Sequence, residues 1–146
     1  MLVNKTTKVV VSALLLTKKG ILVLKRAKNF KEIEYGKGLW DLPGGNIEFG
    51  EDIFAALNRE LIEETGCAIQ IETGEIDVIT EILFTSKVQS FRINILIKCK
   101  AELEGIKLSE EHSDYLFINS ADWLKELEFL PGVSSYLIEH IEKLLL

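Results

Sequence analysis

The chain has little of what would mark it as secreted, membrane-spanning or bound to nucleic acid. It holds two cysteines, Cys67 and Cys99, in 146 residues. So sparse a pair builds no disulfide framework and suits a reducing cytoplasm. The apolar run from Val9 to Leu16 (VVVSALLL) is too short to span a bilayer, and no convincing signal-type cleavage site accompanies it. Positive charge is in deficit: 17 Lys and Arg face 23 Asp and Glu, giving a net charge of −6 and a pI near 5.0. That balance argues against general affinity for a nucleic-acid backbone. Internal repeats, low-complexity tracts and dividing linkers are also missing. With 47% hydrophobic and 27% charged residues, the chain reads as one globular domain over 1–146, cytoplasmic, with no membrane or nucleic-acid polymer as partner.

Apolar runs set out the elements. Lys8–Thr17 and Ile21–Arg26, joined by KKG, predict two strands. A charged loop, AKNFKEIEYGKGL, leads to a short extended piece at Trp40–Leu42, stopped by Pro43-Gly44-Gly45. A helix is expected from Asp52 to Thr65, opened by Gly50-Glu51-Asp52 and closed by Gly66. Strands are predicted near Ile76–Thr85 and Phe91–Leu103, with SKVQS as the turn between them, and again at Tyr115–Asn119. Ser120 is expected to cap a short helix, ADWLKELEF, and Leu130-Pro131-Gly132 to separate it from a final helix, VSSYLIEHIEKLLL. Strand and helix do not alternate as a doubly wound parallel sheet requires, so the pattern predicts an α+β fold, a mixed sheet with helices on both faces.

The helix end RELIEETGC lacks the cations it should have. Glu60 and Glu64, four residues apart, are like charges on one face, which costs an isolated helix about 0.2–0.5 kcal/mol. They and Glu63 precede Gly66, where the macrodipole favours lysine or arginine. A solvated acidic face is the ordinary explanation, but such faces usually pair Glu with Lys at i+4, and residues 52–65 contain no lysine. Arg59, four before Glu63, can hold one carboxylate but hardly three. At 100° per residue the three glutamates share an arc of about 100°. Phe54, Leu57 and Leu61 run along one flank, with Ala55 and Ile62 farther round the other side. Acids set between packed surfaces must protonate or find a cation. Oxygen ligands without nearby Cys or His select a hard ion, Mg²⁺ or Mn²⁺, which is completed by waters and phosphate oxygens. The competing readings are a structural helix that binds nothing and a site for a phosphate compound.

GGNIEFGEDIFAALNRELIEETGC resembles the signature of the Nudix hydrolases, G-x5-E-x7-R-E-U-x-E-E-x-G-U with U a bulky apolar residue. Gly45, Glu51, Arg59, Glu60, Leu61, Glu63, Glu64 and Gly66 match; Cys67 stands at the last position, where a small hydrophobe suffices. Chance produces the fixed residues about once in a million chains of this length at roughly 7% usage each. The resemblance implies an α/β/α sandwich and metal-dependent cleavage of a nucleoside diphosphate linked to a further group. It implies Glu60, Glu63, Glu64 and the Gly45 carbonyl as ligands of Mg²⁺ or Mn²⁺, with Glu51 near the metal or holding it through water. Arg59 would orient the glutamates. Gly44-Gly45 would bring the backbone close to the metal, and Gly50 would allow the sharp turn into the helix. The base would be a helix glutamate or an acid from a later loop, Glu111 first and Asp114 second.

The remaining candidates are weighed singly. Lys25, Arg26, Lys28, Lys31 and Lys37 against Glu32 and Glu34 leave that segment at +3, either a solvated loop or a phosphate-binding one. Arg26, which closes a strand, is the member expected to face a ligand. Trp40 reads as core or as a stacking platform; with Arg26 and Phe84 it completes the substrate-binding set. Phe30 and Phe91 are weaker base contacts. His112 reads first as a surface residue and second as a substrate contact, and His140 as surface. The resemblance carries no mark of the NADH or coenzyme A subfamilies. Leu83 and Phe84 stand where ADP-ribose and dinucleoside polyphosphate enzymes carry proline and tyrosine. A (deoxy)nucleoside triphosphate pyrophosphohydrolase is therefore the leading expectation. ADP-ribose, nucleotide-sugar or dinucleoside polyphosphate hydrolysis follows, with a non-catalytic nucleotide sensor as the rival of another class. The apolar strands and C-terminal helix could form a homodimer surface.

Overall fold

The Val-, Ile- and Leu-rich runs are the strands of one sheet. A computed structural model describes residues 5–31, 34–67, 75–84, 88–98, 103–133, 137–138 and 141. The strands are β1 (Thr6–Thr17), β2 (Gly20–Arg26), β3 (Trp40–Asp41), β4 (Gly44–Asn46), β5 (Glu75–Phe84), β6 (Val88–Lys98) and β7 (His112–Ile118), with helices α1 (Ile53–Thr65) and α2 (Trp123–Glu126). The seven-stranded sheet runs β3-β2-β1-β6-β5, with β4 on β1 and β7 on β2. It is mixed, as expected: β1 and β6 run parallel over Thr6–Leu16, and the other pairs are antiparallel.

Both faces of the sheet are covered, which is why its central strands are continuously apolar rather than alternating. Val11, Ala13, Leu15, Leu22 and Leu24 pack with Ala56, Leu57 and Leu61 of α1 on one face. Leu14, Ile21 and Val23 point to the other and pack with Leu137 and Ile141. Residues 133, 137, 138 and 141 are helical, and Val133, Leu137 and Ile141 are buried. The layers are helix, sheet, helix. Among the described residues no helix is long and apolar enough to cross a membrane.

A fork in the sheet positions everything that follows. β1 and β2 pair only next to their hairpin, Leu16 with Ile21 and Thr17 with Gly20, and then diverge. Residues 40–46 fill the gap, β3 against β2 and β4 against β1. The Ala13 N–H donates to the Pro43 carbonyl at 2.8 Å, closing the seam. Gly44 is required here: its φ is +154°, and a Cβ would collide with the Val11 carbonyl oxygen.

Several boundaries differ from expectation. Val88–Ser90, expected in the turn, belong to β6, and the rest of the expected turn lies outside the described residues. Of the expected extension of that strand, residues 99–102 lie outside the described residues, and Leu103 is not in a strand. β7 starts at His112 because its pairing with β2 continues through a bulge at Ser113. The helix at ADWLKELEF is only Trp123–Glu126; its N-cap is Asp122, while the Ser120 hydroxyl accepts from the Asp122 N–H in the preceding turn. Ala55 and Ile62 are exposed, so the second flank of the acidic arc is open.

Candidate active site

α1 is held at both ends by its own sequence. The Asp52 carboxylate caps it, accepting from the Ala55 N–H at 2.8 Å, and Gly66, at φ +70°, ends it with an N–H to the Ile62 carbonyl. Buried Leu57 and Leu61 press it onto the sheet. This lays Glu60 and Glu64 against β4 in the fork. The Gly44 N–H donates to Glu64 Oε1 at 3.2 Å. Gly45 lies directly beneath Glu60: a Cβ there would stand 2.5 and 2.6 Å from its two carboxylate oxygens. The three glutamates are graded in depth, with side-chain exposures of 3% for Glu64, 13% for Glu60 and 57% for Glu63.

Arg59 does more than the sequence suggests. Its Nε and one terminal nitrogen grip both oxygens of Glu51, at 2.8 and 2.9 Å. The other terminal nitrogen reaches Glu60 at 2.9 Å and Glu63 at 3.4 Å, and the Asn46 carbonyl accepts a further bond at 2.9 Å. One planar guanidinium therefore hydrogen-bonds three carboxylates, with Glu48 a fourth ion-pair partner at 4.0 Å, because the loop before the helix folds Glu51 back to face it. This dense pairing raises its pKa, with the hydrogen bonding to Glu51 the largest cause. The same bond, helped by the Glu48 backbone, lowers the Glu51 pKa. Glu51 is thus committed to Arg59 and lies outside the cleft lining.

Glu60 and Glu64 are in the opposite state. Burial is the main cause pushing the Glu64 pKa well upward; the charge of Glu60 adds to it, and the Gly44 N–H only partly compensates. Burial also raises the Glu60 pKa, against the pull of Arg59. Two interacting carboxyls in a desolvated place cannot both ionise cheaply without a cation. Oε2 of Glu64 is buried and has no hydrogen-bond partner. An atom of that kind suits a hard cation, as does the donor set of carboxylates beside a backbone strand. Among the described residues no three His, Cys, Asp or Glu side chains are grouped so as to hold a metal ion by themselves. An open, water-completed Mg²⁺ site does not need such a grouping.

These groups floor a cleft of about 780 Å³, within the range of small-molecule sites. Of the expected residues, Gly45, Arg59, Glu60, Glu63, Glu64, Glu111 and Arg26 line it. Arg26 closes β2 with its guanidinium 3.9 Å from the centre of the Phe30 ring, and Lys28, Lys31, Phe30 and Tyr35 line the same cleft. Trp40 does not. It is 6% exposed and packed with Leu14, Leu42 and Leu130, so the platform reading is corrected to core. Phe84 is paired with Gln89 in the sheet, and its side chain lies outside the described residues. Asp114 is exposed opposite Lys25, away from the cleft. His112 is not a surface residue: it is buried, with Nδ1 3.8 Å from Glu64 Oε2. His140 lies outside the described residues.

Sequence reasoning missed one more group. Asp41, on β3 in the fork, is buried and accepts from Arg92 of β6 at 2.9 and 3.4 Å and from the Leu42 N–H at 2.8 Å. Both side chains line the cleft. They are 51 residues apart, and only the parallel pairing of β1 with β6 brings them together. A lone aspartate in WDLPGG carries no sign of that partner.

Comparison with known proteins agrees with this geometry. Residues 6–133 match the NUDIX domain family. A nucleoside triphosphatase of Escherichia coli, NudI, is 31% identical over 91 residues, covering 58% of this chain and 64% of that protein. Nudix hydrolase 5 of Arabidopsis thaliana is 26% identical over 129 residues, 87% of this chain but 39% of the plant protein. This chain thus spans about two-thirds or less of the length of these relatives. The crystal structure of a MutT protein from Methanosarcina mazei Go1 superposes with a TM-score of 0.71 at 26% identity, over 95% of both chains. With the family matched across most of its length, over the same strands and helix that build the acidic cleft, the chain belongs to the NUDIX domain family.

Proposed function

We propose that this chain is a Mg²⁺- or Mn²⁺-dependent pyrophosphohydrolase of (deoxy)nucleoside triphosphates. The observation that carries the reading is the Glu60–Glu64 pair, the first partly and the second fully buried, with both pKa values raised and one oxygen unpartnered, in a cleft that also presents Arg26 and three lysines. Such a cleft suits a substrate that brings a polyphosphate and shares a divalent ion with the protein. NudI, named as a nucleoside triphosphatase, supports the substrate class.

Glu60, Glu63, Glu64 and the Gly45 carbonyl would hold the ion. Bound there, it would neutralise anhydride oxygens and make water a stronger nucleophile. The chain's own groups do the rest. Arg59, anchored by Glu51, fixes Glu60 and Glu63 so that the site is organised before substrate arrives. Arg26, stacked on Phe30, meets phosphate oxygens. Glu111, exposed at the cleft and without an ion pair among the described residues, takes the proton as water adds to phosphorus. The anhydride P–O bond breaks, leaving a nucleoside monophosphate and pyrophosphate. The reading places the protein in an aqueous, cytoplasmic setting with small nucleotides as its partners.

The test is a panel of (deoxy)nucleoside triphosphates, ADP-ribose, nucleotide sugars and dinucleoside polyphosphates with Mg²⁺, read by product chromatography. Monophosphate and pyrophosphate formed from triphosphates is the expected result. Turnover confined to ADP-ribose or another diphosphate linkage would move the substrate class, and tight binding with no turnover would make the chain a sensor.

A further inference from the structure

Among the described residues, four buried side-chain polar atoms lack a hydrogen-bond partner: Arg26 Nε, Glu64 Oε2, His112 Nδ1 and Asn94 Oδ1. Buried polar groups are nearly always partnered, so each orphan needs an explanation. Three of them belong to one neighbourhood. His112 is the cross-strand partner of Arg26 in the β2–β7 pairing, and its Nδ1 faces Glu64 Oε2 at 3.8 Å. Two of the orphans thus face each other, a donor site and an acceptor, both almost fully buried.

The strand geometry shows that this meeting depends on one inserted residue. Phe117 of β7 packs on the α1 face of the sheet, and Ile118 and Leu116 on the other. Strict alternation would send Tyr115 and Ser113 to the α1 face and His112 away from it. The register instead pairs Lys25 with Asp114 and Arg26 with His112, which leaves Ser113 as an extra residue. A bulge of one residue inverts the alternation beyond it. His112 is thereby turned to the α1 face, under the carboxylate of Glu64.

We infer that His112 is a positioning residue for Glu64, donating from Nδ1–H to Oε2 and so fixing which oxygen lone pairs remain for the cation. The separation is longer than a hydrogen bond and closes with a movement of about 0.8 Å. Hydrogen bonds of this kind are often slack before a site is filled and tighten when it is. With Gly44 N–H on Oε1, the imidazole would complete a two-sided hold on a carboxylate that has no arginine of its own. This assignment rests on the proposed role of Glu64 as a metal ligand.

The experiment is titration of the protein with Mn²⁺ alone, following free Mn²⁺ by its electron paramagnetic resonance signal. Folding is checked by circular dichroism. The wild type is expected to bind and Glu64→Gln to lose binding; equal binding by these two would remove Glu64 as a ligand and the present inference with it. If Glu64 stands, His112→Leu is expected to weaken Mn²⁺ binding by about tenfold. His112→Asn, which keeps an N–H donor near the place of Nδ1, should stay within about threefold of the wild type, a smaller loss than such supporting groups usually cause. Wild-type affinity in folded His112→Leu overturns the inference, as does His112→Asn binding no better than His112→Leu. Should His112→Leu fail to fold, His112→Asn is compared with His112→Gln, whose amide falls near Nε2 instead. Stronger binding by the Asn variant supports the assignment, and equal binding overturns it.

Discussion

Gly45→Ala isolates the contact between strand and helix on which the site depends. The added methyl would stand 2.5 and 2.6 Å from the Glu60 carboxylate oxygens, whereas ordinary contact begins near about 3.5 Å. The carboxylate must retreat by about 1 Å. It is the far end of a flexible side chain and is partly exposed, so the fold can accommodate the move. Alanine also removes conformational freedom from the unfolded chain, worth about 0.4–1 kcal/mol in favour of the folded state. Stability is therefore expected to change little. Catalysis is not so tolerant: a displacement of about 1 Å in a positioned group costs roughly 10²-fold, or about 2.7 kcal/mol in the barrier. Steady-state kcat/KM at saturating Mg²⁺, beside a thermal melt, measures both. A double-mutant cycle sharpens the result. Glu60→Asp withdraws the carboxylate by one methylene, so the two losses should fall short of additive by more than about 0.5 kcal/mol. Wild-type turnover in Gly45→Ala, or strict additivity, would refute the contact as a determinant of activity.

Glu64→Gln is expected to lower turnover by at least about 10²-fold while stabilising the chelated protein. A carboxyl whose folded pKa is raised binds more protons folded than unfolded, so its contribution declines as pH rises from the unfolded value of 4.5 through the folded one. In chelator, the melting temperature of Glu64→Gln should gain on the wild type as pH rises above the unfolded value of 4.5; a gap that narrows with rising pH would show that Glu64 is not held protonated by burial. Excess chelator should abolish hydrolysis and added Mg²⁺ or Mn²⁺ restore it, whereas hydrolysis persisting in chelator would count against the metal assignment. Asp41→Ala withdraws a buried carboxylate from Arg92 and should destabilise the fold by about 3 kcal/mol, measured by urea unfolding. A loss under about 0.5 kcal/mol, the range of ordinary surface substitutions, would show the pair to be incidental.

Local chemistry was legible in the sequence. The capped helix from Asp52 to Gly66, the strands β1, β2, β3, β5 and β6 and the three glutamates on one arc all follow from spacing, because period and caps are properties of neighbouring residues; β4 does not, since Pro43-Gly44-Gly45 reads as a stop. So does the mixed, two-faced architecture, since strand and helix do not alternate along the chain. What the sequence could not express is depth. Glu60, Glu63 and Glu64 look equivalent in ELIEE, yet only the fork between β1 and β2 decides that Glu64 is buried, Glu60 rests on Gly45 and Glu63 faces water.

The same limit explains the misplaced residues. Trp40 went to the core because its side chain packs with Leu14, Leu42 and Leu130 on the face of the sheet away from α1, while its neighbours Asp41, Gly44 and Gly45 line the cleft. Asp41 found Arg92 through a parallel pairing that no local pattern encodes. His112 sits under Glu64 because a single bulge at Ser113 reverses the side-chain alternation of β7. By itself the sequence determined which carboxylates share one face of the helix, since residue type and helical spacing are written in order along the chain. Only the tertiary structure decided which of those groups are desolvated, because burial and charge coupling arise from residues distant in sequence that pack within a few ångströms of each other.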